Sequence, residues 1–309
     1  MNNAGPSVAI LLCTLDGARF LPDQLDSINR QWHGNLRLWI SDDGSKDNTL
    51  ALLDGYQFGR DGLPAEVLSG PQNGHTANFL SLACNNEINA DYYAFADQDD
   101  IWEAEKLTRA VGMLESLPQD SPSLYCARTR AVTEDGRPVG LSPLFRRPPS
   151  FANALLQNIG GGNTMVMNKA ARQLLLTAGN INVVSHDWWT YLLVSAAGGT
   201  VIYDPRPSLQ YRQHTRNIVG SNRGLRARIR RTTRALQNRS RNWNTINIEA
   251  LQTVQDLISP ENRVILEEFS QARNEPLIPR MRGIKRSGVY LQTITGNASL
   301  FVAKLLNKI

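Results

Sequence analysis

The chain has 309 residues, 41% of them hydrophobic and 20% charged, with a formal net charge of +5. That balance describes a globular protein with a sizeable core and excludes a disordered or collagen-like chain. Its three cysteines, Cys13, Cys84 and Cys126, form no CxxC pair, so neither a disulfide framework nor a zinc knuckle is expected.

The charge is unevenly spread. Residues 221–309 hold 16 Lys and Arg against 6 Asp and Glu, whereas residues 1–220 hold 17 against 22. An acidic body carrying a basic extension invites an anionic partner for the extension: a membrane surface, a lipid diphosphate or nucleic acid.

In chain order, "SVAILLC" (7–13) reads as a short buried parallel strand. Its apolar run, Val8 to Cys13, has no basic residue before it and is too short for a signal peptide or a membrane span. No other segment reaches spanning length, and a cytoplasmic protein is expected. Phe20, Leu21, Leu25 and Ile28 fall at helical spacing. "LRLWIS" (36–41) alternates as a second strand and ends in "DDGSKDNT", where Asp47 or Asn48 would cap a helix over "TLALLDGYQF" (49–58). "AEVLSG" (65–70) is a third strand and "HTANFLSLACNNEI" (75–88) a third helix, with His75 at its start. "DYYAFA" (91–96) is a fourth strand, and a helix over "EKLTRAVGMLESL" (105–117) follows. Strands alternating with helices predict an α/β fold with a mostly parallel central sheet flanked by helices. Beyond residue 120 the alternation weakens, with strands expected at "SLYCART" (123–129) and "TVIYDP" (200–205).

Polar clusters fall at the predicted strand ends: Thr14 with Asp16, Asp42 with Asp43, and Asp97, Asp99 and Asp100. In open α/β sheets ligands bind beyond the carboxyl ends of the strands, so these clusters point to one crevice. Neither GxGxxG nor GxxxxGK[ST] is present, which argues against a dinucleotide fingerprint or a P-loop. In "FADQDDIW" three aspartates crowd into four positions. Hard carboxylate oxygens suit Mg2+ or Mn2+ held together with substrate phosphates. A solvated turn would also accommodate them.

Four later stretches carry chemistry. "QNIGGGNTMVMNKAA" (157–171) sets Gly160, Gly161 and Gly162 where backbone approaches a ligand or another strand closely. In "SHDWW" (185–189), Asp187 suits a base in an apolar setting and also a cap for a helix beginning at Trp188, and the two roles are not exclusive. Trp188 and Trp189 would stack on a sugar or fill the core. In "YRQHTRN" (211–217), Arg212, His214 and Arg216 alternate, which in an extended segment aligns them on one face for phosphate or metal. Between residues 221 and 242 stand eight arginines over a thin apolar stripe, Leu225, Ile229 and Leu236.

Together "SVAILLCTLDGARFLPDQLDSI", "ISDDGSKDNT", "FADQDDIW", "GGGNTMVMN", "HDWW" and "YRQHTRNIVG" resemble the inverting family 2 glycosyltransferases with the nucleotide-sugar-binding GT-A fold. The match spans about residues 7 to 220. "DQDDIW" with "HDWW" and "YRQH" looks most like the bacterial rhamnosyltransferase branch, which builds surface polysaccharide. The resemblance implies that Cys13, Thr14 and Leu15 line the nucleotide pocket, and that Asp43, with Asp42 beside it, meets the base. It makes Asp97 and Asp99 the metal motif around Gln98, a donor-side residue. Asp187 becomes the general base, and Arg212 and His214 meet the diphosphate or the metal. Gly161, Gly162, Trp188 and Trp189 fall on the acceptor side. The sequence departs from the family at "TLD" (14–16), where Leu15 replaces an aromatic, at "QNG" (72–74), and at Thr215. These leave the donor base open.

The expected protein is therefore a metal-dependent inverting transferase. It has a GT-A domain over 1–220 and a basic, mainly helical extension over 221–309. Its donor would be a dTDP- or UDP-linked sugar, and its acceptor a glycan or lipid-linked glycan. The extension would dock on an anionic membrane surface, "NASLFVAKLLNKI" (297–309) lying in the interface; a solvated extension or a homo-oligomer contact is the alternative. A nucleotidyltransferase would also use paired aspartates but lacks its glycine-rich N-terminal loop here. A nucleic-acid partner is not expected, because the acidic body would repel a phosphate backbone.

Overall fold

The computed structural model describes residues 5–58, 63–214 and 239–309. Arg216, Leu225, Ile229, Leu236 and most of the arginine-rich stretch lie outside the described residues.

The first half follows the predicted alternation. It runs β1 (Val8–Thr14), α1 (Leu21–Asn29), β2 (Leu36–Asp42), α2 (Thr49–Leu53), β3 (Gln57–Phe58), β4 (Leu63–Pro64), β5 (Glu66–Ser69), α3 (Gly74–Ala83) and β6 (Tyr92–Asp97). The helix expected over 49–58 stops at Leu53: Gly55 takes φ 68°, and the chain turns into the β3–β4 hairpin. Then come β7 (Ile101–Trp102), α4 (Lys106–Glu115), β8 (Ser123–Thr133), β9 (Pro138–Leu141), α5 (Phe151–Ala154), β10 (Val166–Asn168), α6 (Lys169–Ala178), α7 (His186–Ala196) and β11 (Thr200–Gln213).

One nine-stranded sheet has the order β5-β2-β1-β6-β10-β8-β11-β7, with β9 paired to β8. β5, β2, β1 and β6 are mutually parallel, and β10 enters antiparallel between β6 and β8. Register levels the parallel strand ends: Thr14 faces Asp42, Asp42 faces Ser69, and Cys13 faces Asp97. The polar clusters therefore share one rim, as the strand-end pattern requires.

β1 is buried along its whole length because helices cover both faces. Val8, Ile10 and Leu12 pack with Leu21, Leu25 and Ile28 of α1 and with α4. Ala9, Leu11 and Cys13 pack with Phe79 of α3 and with α6 and α7. Full burial of each such Leu or Ile contributes about 1.5–3 kcal/mol. Phe20, which falls at helical spacing with Leu21, Leu25 and Ile28, lies just before α1 and carries the His214 ring, with centroids 4.9 Å apart.

The last part is helical: α8 (Arg239–Thr253), α9 (Pro260–Ala272), α10 (Leu277–Arg286) and α11 (Ile294–Leu305). These helices share the sheet's own core, since Leu251, Phe269, Ile284 and Leu300 belong to the same apolar cluster as Trp189 and Leu192. Polar ties reinforce the join. The Asn262 amide donates to the Ser195 and Ala196 carbonyls at 2.9 and 3.1 Å, closing the end of α7. No helix among the described residues is long and apolar enough to cross a membrane.

Candidate active site

The loops after β1 and β2 are laced together. Asp16, at φ 48°, accepts from the Lys46 and Asp47 backbone N–H groups, and the Gly17 N–H donates to Thr49 Oγ1. The Asp42 carboxylate is consumed by this lacing: it accepts from Thr14 Oγ1 (2.8 Å), Ser45 Oγ and N, and Gly44 N. Asp42 thus holds the loop that presents the rim. Asp43 ties the next one, accepting from the Gln72 and Gly74 N–H groups at 2.6 and 3.2 Å. Cys13 is buried below the rim, where burial first, then Asp97 and Asp43, push its thiol pKa up.

At the end of β6, Asp97, Asp99 and Asp100 bring one carboxylate oxygen each within 4.8 Å of one another. His75, on the first turn of α3, places Nε2 3.5 Å from Asp97 Oδ1. Burial alone would lower the His75 pKa, but Asp97, Asp187 and Asp99 around it outweigh that and leave it raised. His214 Nε2 lies 2.6 Å from Asp99 Oδ2. Arg212 is buried beside it, donating to the Asp99 carbonyl at 3.2 Å and to Asp23 at 2.7 Å. Burial, then Asp97, lift the Asp99 carboxyl above its ordinary range.

Asp100 is wholly buried. Asn163 Nδ2 donates to its Oδ2 at 2.6 Å, and its Oδ1 has no hydrogen-bond partner. The buried Lys106 ammonium donates to the Asn163 carbonyl at 2.7 Å and sits 3.1 Å from the Trp102 ring centre. Burial pushes Asp100 well up and Lys106 well down. Crowded carboxylates with an orphaned buried oxygen are the environment a divalent cation stabilises, so the residues fit Mg2+ or Mn2+.

Gln98 is a latch. The Leu15 N–H donates to its Oε1 at 2.9 Å, and its Nε2 donates to the Leu15 carbonyl at 3.0 Å. This joins the aspartate turn to the end of β1 and leaves the Leu15 side chain exposed at the rim. A Cβ on Gly17 would fall 2.2 Å from Gln98 Oε1, so glycine is what lets the latch close.

Asp187 stands in the first turn of α7. The residue preceding that helix as its cap is Ser185, so the reading of Asp187 as the cap before Trp188 is corrected. Its carboxylate accepts from Ser185 Oγ (2.5 Å), the Trp188 N–H (2.7 Å) and the Gly162 N–H (3.2 Å). Burial lifts its pKa above the ordinary value despite these donors and His75. The glycine run makes the close approach it predicts: a Cβ on Gly162 would lie 2.3 Å from His186 Nε2, and one on Gly161 would lie 2.7 Å from Asn163 Oδ1. His186 stacks on Phe79 at 4.0 Å, with neither ring nitrogen hydrogen-bonded to a protein group.

The structure gives both tryptophans of "HDWW" a place in the core. Trp189 is 0% exposed, and Trp188 is buried with its Nε1 donating to the Ala154 carbonyl at 2.7 Å. Both indoles are therefore taken up by core packing, while Asp187 on the same helix stays partly exposed. Sequence reasoning missed the placement of His75 beside Asp97, where Asp187 also helps to raise its pKa, and the Asp100–Asn163–Lys106 group. A helix-start histidine and a conventional Asn and Lys carry no local signal of such placement.

The description of glycosyl transferase family 2 matches residues 9–176. The dTDP-rhamnosyl transferase RfbG of Shigella flexneri is 28% identical over 231 residues, covering 71% of this chain and 77% of that protein. Among solved structures, S. aureus TarS 1-349 in complex with UDP-GlcNAc superposes with a TM-score of 0.52 at 13% identity, covering 92% of this chain and 93% of the other. The mannosyltransferase PcManGT from Pyrobaculum calidifontis, in complex with GDP-Man and Mn2+, gives 0.52 at 17% identity, covering 99% and 86%. At those identities the two structures speak for the fold.

Proposed function

The chain belongs to glycosyl transferase family 2 and has the GT-A fold, and from that premise we propose an inverting, metal-assisted transfer of a sugar, rhamnose first among candidates, to an acceptor hydroxyl. The observation that carries this reading is the clustering of the Asp97, Asp99 and Asp100 carboxylates at the strand-end rim, with His75 Nε2 3.5 Å from Asp97 Oδ1 and Asp187 near enough to help raise the pKa of the same histidine.

The donor would be a dTDP- or UDP-linked sugar, its nucleotide set against Cys13, Thr14 and Leu15 with Asp43 toward the base. The name of the relative RfbG, a dTDP-rhamnosyl transferase, points to dTDP-rhamnose as the donor proposed here. Asp97 and Asp99, with His214 behind Asp99, would hold Mg2+ or Mn2+. A cation there supplies charge stabilisation for the departing nucleoside diphosphate. The presence of Mn2+ with GDP-Man in the PcManGT structure supports that assignment. Arg212 adds positive charge at the same end.

On the other side, Asp187 takes the proton of the acceptor hydroxyl. The Gly162 N–H holds one of its oxygens and Ser185 with the Trp188 N–H the other, so the carboxylate is oriented before substrate arrives. Its raised pKa makes it a stronger proton acceptor than an exposed aspartate. The hydroxyl oxygen then attacks the anomeric carbon from the face opposite the leaving diphosphate, and configuration inverts in one step. Gly161 and Gly162 let their loop pack closely on Asn163 and His186, which brings the Gly162 N–H to Asp187. That acceptor is read as a glycan or lipid-linked glycan of a surface polysaccharide, met at the cytoplasmic face of the membrane.

The test is a panel of nucleotide sugars with and without Mn2+ or Mg2+, followed by product analysis. A ligand at about 100 times its Kd adds roughly 2.7 kcal/mol of stability, enough to read as a shift in Tm. Metal-dependent stabilisation by dTDP or UDP species with release of nucleoside diphosphate supports the reading. Release of pyrophosphate would indicate a nucleotidyltransferase instead.

A further inference from the structure

The helix α11 is apolar on two sides. Leu300 anchors it to the shared core. On the opposite side Ile294, Phe301, Val302 and Leu305 fall at spacings of 7, 8 and 11 residues from the first, one helical face, and are 91%, 54%, 47% and 42% exposed. A contiguous apolar stripe on a surface helix marks a contact surface rather than a scatter of exposed side chains.

The charge around the stripe identifies what it meets. Residues 276–309 hold six Lys and Arg and no Asp or Glu. Arg280 ties the start of α10 to the end of α11 through the Lys304 and Leu305 carbonyls. This sets the exposed Leu277 and Ile278 at the same end as Leu305 and Leu306. A second copy of the chain related by a two-fold axis would bring like charge onto like charge. An anionic lipid surface offers the complement to both features: phosphates for the basic side chains and acyl chains for the stripe.

We propose that the α10–α11 corner docks on an anionic bilayer, with Ile294, Phe301 and Leu305 inserted at the headgroup boundary and Arg282 and Lys285 on the phosphates. The inference rests on the exposed stripe and its charge, and it stands independently of the donor and acceptor proposed above.

The test is flotation of the full chain with phosphatidylcholine vesicles, with and without phosphatidylglycerol, at low and high salt. Flotation with the anionic vesicles, weakened by salt, is expected. Ile294→Ser/Phe301→Ser/Leu305→Ser should weaken it by about tenfold or more, and Arg282→Glu/Lys285→Glu should weaken it at low salt. Circular dichroism and Tm should stay unchanged, because these residues are exposed. No flotation with anionic vesicles overturns the proposal. Full flotation of the triple serine variant also overturns it and moves the lipid contact to the arginine-rich 221–242. A dimer that the same variant dissociates, without flotation of either protein, assigns the stripe to a second copy.

Discussion

Gln98 and Leu15 exchange two hydrogen bonds, the side-chain amide of one reading both backbone polar groups of the other at 2.9 and 3.0 Å. The pair fastens the aspartate turn to the end of β1, so the two halves of the proposed donor site are spaced by one side chain. Gln98→Ala should loosen that spacing and raise the donor KM more than it lowers kcat. Each lost bond costs about 0.5–1.5 kcal/mol, less where water replaces it. Gly17→Ala should act in the same direction by forcing the amide out. Steady-state kinetics at varied donor concentration checks both; an unchanged KM in both variants would refute the latch.

Asp187→Asn should reduce turnover by roughly 10²–10⁴-fold, the usual worth of a general base. Nucleotide-induced Tm shifts should persist. The wild-type rate should climb with pH through a limb displaced above the usual aspartate range, because the proposed base works only when deprotonated and burial raises the Asp187 pKa. Ser185 stabilises the charged form, so Ser185→Ala should move that limb to higher pH. A pH–rate profile of kcat separates this from simple loss of fold.

Removing the metal motif should uncouple donor from cation. In Asp99→Ala, the added Tm shift that Mn2+ gives with a nucleoside diphosphate should vanish, and a chelator should abolish wild-type turnover reversibly. Thermal shift with and without added Mn2+ reads this directly. A full metal-dependent shift in Asp99→Ala would remove Asp99 from the ligand set.

His186 should make the protein acid-sensitive. Burial holds its pKa well below the ordinary 6.5, with His75 adding to the effect. The unfolded chain therefore binds a proton that the folded one refuses. Its contribution to stability is complete above about pH 6.5 and falls away below it, by at most about 1.4 kcal/mol per pH unit. His186→Leu should flatten that slope, and denaturant melts between pH 5 and pH 7 (roughly the window of an unperturbed histidine) would show it. Equal slopes for both proteins would sink the idea.

Trp189→Ala should cost about 3–5 kcal/mol through the cavity left in a fully buried site. Trp189→Phe should recover part of that stability with an acceptor KM close to wild type. A specific rise in acceptor KM in the phenylalanine variant would show that this residue reaches the sugar after all.

How much of this was legible in advance follows from the range of the interactions. The alternation of apolar strands with amphipathic helices is local, so β1, β2, β5, β6 and their helices were readable from periodicity. So were the strand-end clusters at Thr14, Asp43 and Asp97, because parallel strands with helical crossovers level their ends. The irregular elements were not: β10 is three residues long and enters against the parallel direction, a choice made by its neighbours β6 and β8.

What the amino-acid sequence determined by itself was the class of fold, the rim and the kinds of ligand its carboxylates suit. Only the tertiary structure divided those residues by task. It spent Asp42 on the loop it anchors, turned Gln98 into a latch, sank Trp189 into the core and set His75 beside Asp97. It also buried Asp100 against Asn163, 63 positions away. A side chain's type is local, but its solvent and its partners come from segments distant in the chain, and burial and partnership decide what a carboxylate does.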